Sequence, residues 1–141
     1  MTHGDIAPVL ERSWGDMAAF ARKLITLPSV TGEEGAVAEA ILGEMRKLGY
    51  DQAFLDGAGN VVGIIRGAGG GEHVLFNCHM DQVDPGNPDA WEFPPFEAVI
   101  SDGWIHGRGA SDTKGAIAAQ VYAAAAVKKA HNRAHKPLPH G

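Results

Sequence analysis

The hydrophobic period of this chain changes at Gly49, and that change limits the folds open to it more than any other feature. Before Gly49 the apolar residues recur at helical spacing, and after it they alternate or run on, as strands do. From about Val9 to Leu27, the residues Trp14, Met17, Ala21, Leu24 and Ile25 share one helical face, and Pro28 stops the helix. Thr31 stands three residues before Glu34, a capping-box spacing, and Val37, Ile41, Leu42, Met45 and Leu48 supply the next apolar stripe. Gly49 sits where a helix C-terminus favours a left-handed residue.

Beyond Gly49, Gln52–Asp56 and Val61–Arg66 are predicted strands around a turn at Gly57-Ala58-Gly59-Asn60. The glycines of residues 67–71 suit a connection between strands, since no Lys-Ser/Thr follows them to cradle a phosphate. His73–Cys78 is a continuous apolar run, the pattern of a buried inner strand. A loop with Pro85, Pro88, Pro94 and Pro95 follows. Glu97–Ser101 and Trp104–His106 flank Asp102-Gly103, a hairpin signal, and Ala116–Ala130 is apolar nearly all round, as in a helix covered on two sides. Helices, several strands and a further helix predict an α/β domain.

Composition narrows the functional classes. Twelve Lys and Arg stand against 17 Asp and Glu, a net charge of -5. Nucleic-acid partners are not expected, because that binding requires cations against phosphates. No apolar run reaches the roughly 20 residues of a membrane helix, and Met1 to Pro8 lacks the pattern of a secretory signal. The single cysteine, Cys78, has no partner for an internal disulfide, and a cytoplasmic location is expected.

Two clusters carry chemistry. His79 and Asp81 follow the apolar run, and their i, i+2 spacing turns both side chains to one side of an extended chain. A metal-binding histidine with its orienting carboxylate has this form, and so does a surface loop with an incidental pair. The second cluster is Gly107-Arg108-Gly109-Ala110-Ser111-Asp112-Thr113-Lys114-Gly115. It is not a dinucleotide fingerprint, because Asp112 replaces the third glycine and repels a pyrophosphate. Asp112 alone is compatible with a helix cap or a ligand. Arg108 and Lys114 are read as holding this loop, Trp91 as anchoring the proline-rich one, and Cys78 as a small buried hydrophobe.

His-Met-Asp at 79–81 and the 107–115 segment, separated by the Pro/Trp loop, together resemble the zinc aminoacylase family. That family includes acetylornithine deacetylases, succinyl-diaminopimelate desuccinylases, aminoacylases and carboxypeptidase G type enzymes. Leu24–Glu34 (LITLPSVTGEE) and Trp91 with Pro94-Pro95-Phe96 share the likeness, which covers residues from about 14 to 130. The resemblance implies a three-layer catalytic domain with a mixed sheet flanked by helices, truncated after residues 1–130, with 131–141 as a polar tail or linker. It implies that His79 binds one metal, that Asp81 orients His79, and that Asp112 bridges two Zn2+, with Co2+ as a substitute. The implied substrate is a small N-acyl amino acid or peptide, with no nucleic-acid or membrane partner, and full-length members are homodimers.

The family's downstream Glu-Glu pair, further acidic ligand, late histidine and dimerisation domain have no counterpart here. Glu33-Glu34 is the one Glu-Glu in the sequence, and it matches a helix start. The chain is therefore expected to be the N-terminal part of a hydrolase, inactive alone. The alternative is a non-catalytic metal-binding or interaction remnant. His131, His135 and His140 are read as part of a polar tail.

Overall fold

A computed structural model describes residues 3–67 and 72–133. Three helices, α1 (His3–Ile25), α2 (Gly35–Leu48) and α3 (Gly115–Arg133), accompany two antiparallel strand pairs. In the first pair, β1 (Gln52–Leu55) meets β2 (Val61–Ile64) with Gln52 opposite Ile64. In the second, β3 (Val99–Ser101) meets β4 (Trp104–His106) with Val99 opposite His106. The α/β class holds.

Local chemistry accounts for the joints. Gly49 adopts φ 82°, and the N–H groups of Gly49 and Tyr50 donate to the carbonyls of Arg46 and Met45, closing α2 as its sequence predicts. Asp56 makes the first hairpin turn by accepting the backbone N–H groups of Ala58 and Asn60 at 2.9 Å. Asp102 and Gly103 carry φ values of 51° and 82°, the pair of positive values that a tight two-residue hairpin requires.

The core joins all three helices. Phe20, Ala21 and Leu24 of α1, Val37, Ala40 and Ile41 of α2, and Ile117, Ala118, Val121 and Tyr122 of α3 form one buried cluster. The Tyr122 hydroxyl donates to Glu44 at 2.6 Å, and the Tyr50 hydroxyl donates to the Val121 carbonyl at 2.9 Å. Both polar ends are thus satisfied while the rings pack, which tethers α2 and the start of β1 to α3.

Several expectations need correction. The capping box does not form: Glu34 accepts from Gly32 N–H at 2.8 Å, and the Thr31 hydroxyl turns to Asp81. A long-range carboxylate competes successfully for that hydroxyl. Helix α1 begins at His3, passing through Pro8, and Trp14 is 66% exposed. Periodicity defines a stripe on a helix but not where its neighbours stop.

The largest difference is the run His73–Cys78. It forms no strand, and Leu75 is 88% exposed. A buried inner strand needs backbone partners along its edges. Each sheet among the described residues holds two strands only and this run pairs with neither, so the mixed sheet is not assembled there. Helix α3 runs to Arg133, beyond the boundary expected at 130, and the His131 side chain is buried. His135 and His140 lie outside the described residues, as do residues 68–71 of the glycine-rich loop.

Candidate functional site

The Leu27–Thr31 connection between α1 and α2 positions the site. Ser29, fully buried, donates its hydroxyl to the Met80 carbonyl at 2.9 Å, and its own carbonyl accepts from Gln82 N–H at 2.8 Å. These bonds hold the backbone on both sides of Asp81. The Lys114 ammonium, also buried, donates to the Leu27 carbonyl at 2.5 Å, tying the second motif to the same connection. Its burial pushes the amine down to about 8.

The second motif turns sharply before α3. Gly109 has φ 77°, Lys114 N–H donates to the Gly109 carbonyl at 2.9 Å, and the Asp112–Thr113 peptide is cis. Gly115 is needed for contact rather than for its dihedral angles. A Cβ there would lie 2.6 Å from the Ala110 carbonyl oxygen, which as backbone cannot move alone. Gly115→Ala is therefore expected to move Asp112 away from His79 Nε2 and lower the imidazole pKa, with helix content retained. An NMR titration of His79 beside circular dichroism tests this, and an unchanged pKa would show that the loop absorbs the methyl.

His79 and Asp112 meet although 33 residues separate them, with His79 Nε2 2.9 Å from Asp112 Oδ1. On the other side of the ring, His79 Nδ1 lies 2.9 Å from Asp81 Oδ1 and 3.1 Å from the Asp81 carbonyl oxygen. Asp81 Oδ2 accepts the Thr31 hydroxyl at 2.7 Å. Thr113 closes the arrangement by donating its hydroxyl to the His79 carbonyl at 2.9 Å. The structure thus brings His79, Asp81 and Asp112 together, but at the end of an irregular segment rather than at the edge of a sheet.

The site is open to solvent: the side chains of His79 and Asp112 are 50% and 84% exposed. They border a cavity of about 220 Å³ that Gln82, Arg108 and Ser111 also line. The Arg108 guanidinium lies 4.7 Å from the Trp91 ring centre, and Trp91 Nε1–H donates to the Pro85 carbonyl at 3.0 Å, so Trp91 does anchor its loop. Asp112, by accepting from the ring, and then Asp81 hold the His79 imidazole above its ordinary pKa. The Thr31 hydroxyl, followed by the charge on His79, holds Asp81 below the usual carboxylate range.

An imidazole nitrogen and a carboxylate oxygen are both zinc donor types. At 2.9 Å the two are hydrogen-bonded; two donors on one tetrahedral zinc with bonds of about 2.0–2.2 Å stand about 3.4 Å apart, so a small opening of the pair admits a cation. His79 and Asp112 therefore fit as part of a metal centre. Among the described residues no group of three His, Cys, Asp or Glu side chains is arranged to hold a metal ion. Asp81 is directed at the far nitrogen of the ring, which leaves two donors facing one another. Sequence reasoning missed Ser29, Thr31 and Thr113. Thr31 carried a signal, but its spacing from Glu34 pointed to a cap.

His79, braced by Asp81 and hydrogen-bonded to Asp112 at the edge of a solvent-open cavity, thus carries the donor types that metal centres use. The chain matches peptidase family M20/M25/M40 over residues 75–138. It is 40% identical over 112 residues to the succinyl-diaminopimelate desuccinylase of Gluconacetobacter diazotrophicus, covering 77% of this chain and 29% of that protein. The desuccinylase of Blochmanniella pennsylvanica is 34% identical over 117 residues, covering 80% of this chain and 30% of the relative. The Escherichia coli K12 protein YgeY, described as uncharacterized, is 39% identical over 113 residues, covering 80% and 28%. The chain thus spans somewhat under a third of the length of these relatives. Among the described residues no helix is long and apolar enough to cross a membrane.

Proposed function

We propose that this segment supplies part of the metal centre of a hydrolase that cleaves the amide bond of an N-acyl amino acid or small peptide. The observation that carries the reading is the placement of Asp81 and Asp112 at the two ring nitrogens of His79. Asp81 holds Nδ1–H, fixing the ring's orientation and leaving Nε2 to bind a cation. Asp112 offers a carboxylate able to bridge two. When bound, Zn2+ (or Co2+ in its place) polarises the scissile carbonyl and makes a bound water nucleophilic at neutral pH. The match to the M20/M25/M40 family and the similarity to two desuccinylases support this reading. The protein is read as cytoplasmic, with a homodimer at the relatives' full length.

One observation favours a second reading for the 141-residue chain by itself. Among the described residues these two donors have no third beside them, which suits a non-catalytic metal-binding segment.

The test is a zinc titration across pH. In the metal-free chain a proton on His79 Nε2, donated to Asp112, holds the lone pair that a cation needs. Zinc affinity is therefore expected to rise with pH as that proton leaves. Stability of the metal-free chain runs the other way. The imidazole pKa is raised above 6.5, so the stability this contact adds is complete below that value and is lost as pH climbs through the raised one. Urea unfolding at pH 6 and 8, with and without zinc, reads both trends, and His79→Gln should remove them. Zinc affinity that is flat with pH, or unchanged in His79→Gln, would rule out His79 as a ligand.

A further inference from the structure

The structure assigns Thr31 as a positioning residue for His79, acting through Asp81. This inference rests on the metal-site reading above and extends it to the connection between α1 and α2.

Asp81 has two carboxylate oxygens, and only one can face the imidazole. Oδ1 is 2.9 Å from His79 Nδ1, while Oδ2 takes the Thr31 hydroxyl at 2.7 Å. The hydroxyl therefore selects the rotation of the carboxylate. With Oδ2 held, a turn about the Cβ–Cγ bond that removed Oδ1 from Nδ1 would break two hydrogen bonds rather than one. Asp81 needs such a constraint because its side chain is one-third exposed and water is available to both oxygens.

The surroundings make Thr31 a fixed reference rather than a mobile surface hydroxyl. Two residues earlier, Ser29 clasps the backbone of Met80 and Gln82, so residues 29–31 and 80–82 run together through three hydrogen bonds. Lys114 binds the Leu27 carbonyl and Thr113 binds the His79 carbonyl, so the strut bearing Thr31 also contacts the loop bearing Asp112. Thr31 itself is exposed and has no part in the buried core. Its hydroxyl can be removed with little cost to the fold, so a site effect can be separated from unfolding.

The experiment compares Thr31→Val, which keeps the shape and removes the hydroxyl, with Thr31→Ser, which keeps the hydroxyl. Two readings are taken on the full 141-residue chain: Co2+ affinity, and the ring-nitrogen chemical shifts of His79 in metal-free protein labelled with 15N-histidine. The shifts are read above the imidazole pKa, where they report which nitrogen holds the remaining proton. Wild type and Thr31→Ser are expected to keep that proton on Nδ1, against Asp81. Thr31→Val is expected to give a mixture of both forms and about tenfold weaker Co2+ binding, the lower end of the effect of losing a ligand's supporting partner.

Ring shifts in Thr31→Val that match wild type would overturn the inference whatever the metal does, as would a failure of Thr31→Ser to restore them. Absence of any His79-dependent Co2+ binding in wild type would instead defeat the metal-site reading, while the shifts still decide the role of Thr31.

Discussion

His79→Ala and Asp112→Ala are each expected to reduce amide hydrolysis by at least about a thousandfold in a polypeptide of the relatives' length that carries this segment. Either change removes a donor of a type that zinc takes, and metal polarisation of a carbonyl supplies several kcal/mol of transition-state stabilisation. The two donors face one another at 2.9 Å, so removing one leaves the other without a partner across the gap. Asp81→Ala should cost less, about 10- to 100-fold, because it touches the ring only at the far nitrogen. The 141-residue chain itself is expected to bind zinc weakly and to hydrolyse no N-acyl amino acid at an enzymatic rate. It lacks a motif-supported general base, whose contribution is typically about 10²–10⁴-fold. Its adjacent glutamates do not substitute: they open α2, where Glu34 accepts the Gly32 N–H at 2.8 Å. The check is a chelator-controlled assay on N-acetylornithine and related amides. Turnover by the 141-residue chain that EDTA stops and His79→Ala eliminates would show that another group here serves as base.

The second large effect is on stability, and it separates two residues that look alike in the sequence. Ile117→Ala is expected to cost about 2–5 kcal/mol, because Ile117 is 5% exposed within the cluster joining the three helices. Leu75→Ala is expected to stay within about 0.5 kcal/mol, the range of surface changes without special contacts. Both residues sit in apolar runs that predict burial, yet Leu75 is 88% exposed. Urea unfolding of the two variants decides the matter. Equal large losses would place the His73–Cys78 run inside a core after all.

That pair shows where the sequence stops being informative. Apolar runs state which residues are fit for burial, but burial also requires a neighbour, and neighbours are set by chain path. Helix α3 finds α1 and α2, whereas His73–Cys78 finds no strand among the described residues. The same distinction applies to the hydroxyl of Thr31. Its local spacing from Glu34 offers it a cap, but the fold brings Asp81 within 2.7 Å, and a charge-assisted bond prevails over a neutral one.

By itself the sequence determined the elements whose causes are local. The closing glycine of α2, the turn at residues 57–60, the Asp102-Gly103 hairpin and most of the helical span of α3 all follow from residues within a few positions of one another. The motif residues His79, Asp81 and Asp112 were also legible, because their types and spacing match a known family. Only the tertiary structure decided that Asp81 and Asp112 meet the two nitrogens of one imidazole, and that a serine and a threonine from the first interhelical connection brace the site. The reason is physical. Turns and caps are hydrogen bonds between near neighbours in the chain, while the site depends on contacts across 33 to 51 residues whose geometry exists only after the helices have packed.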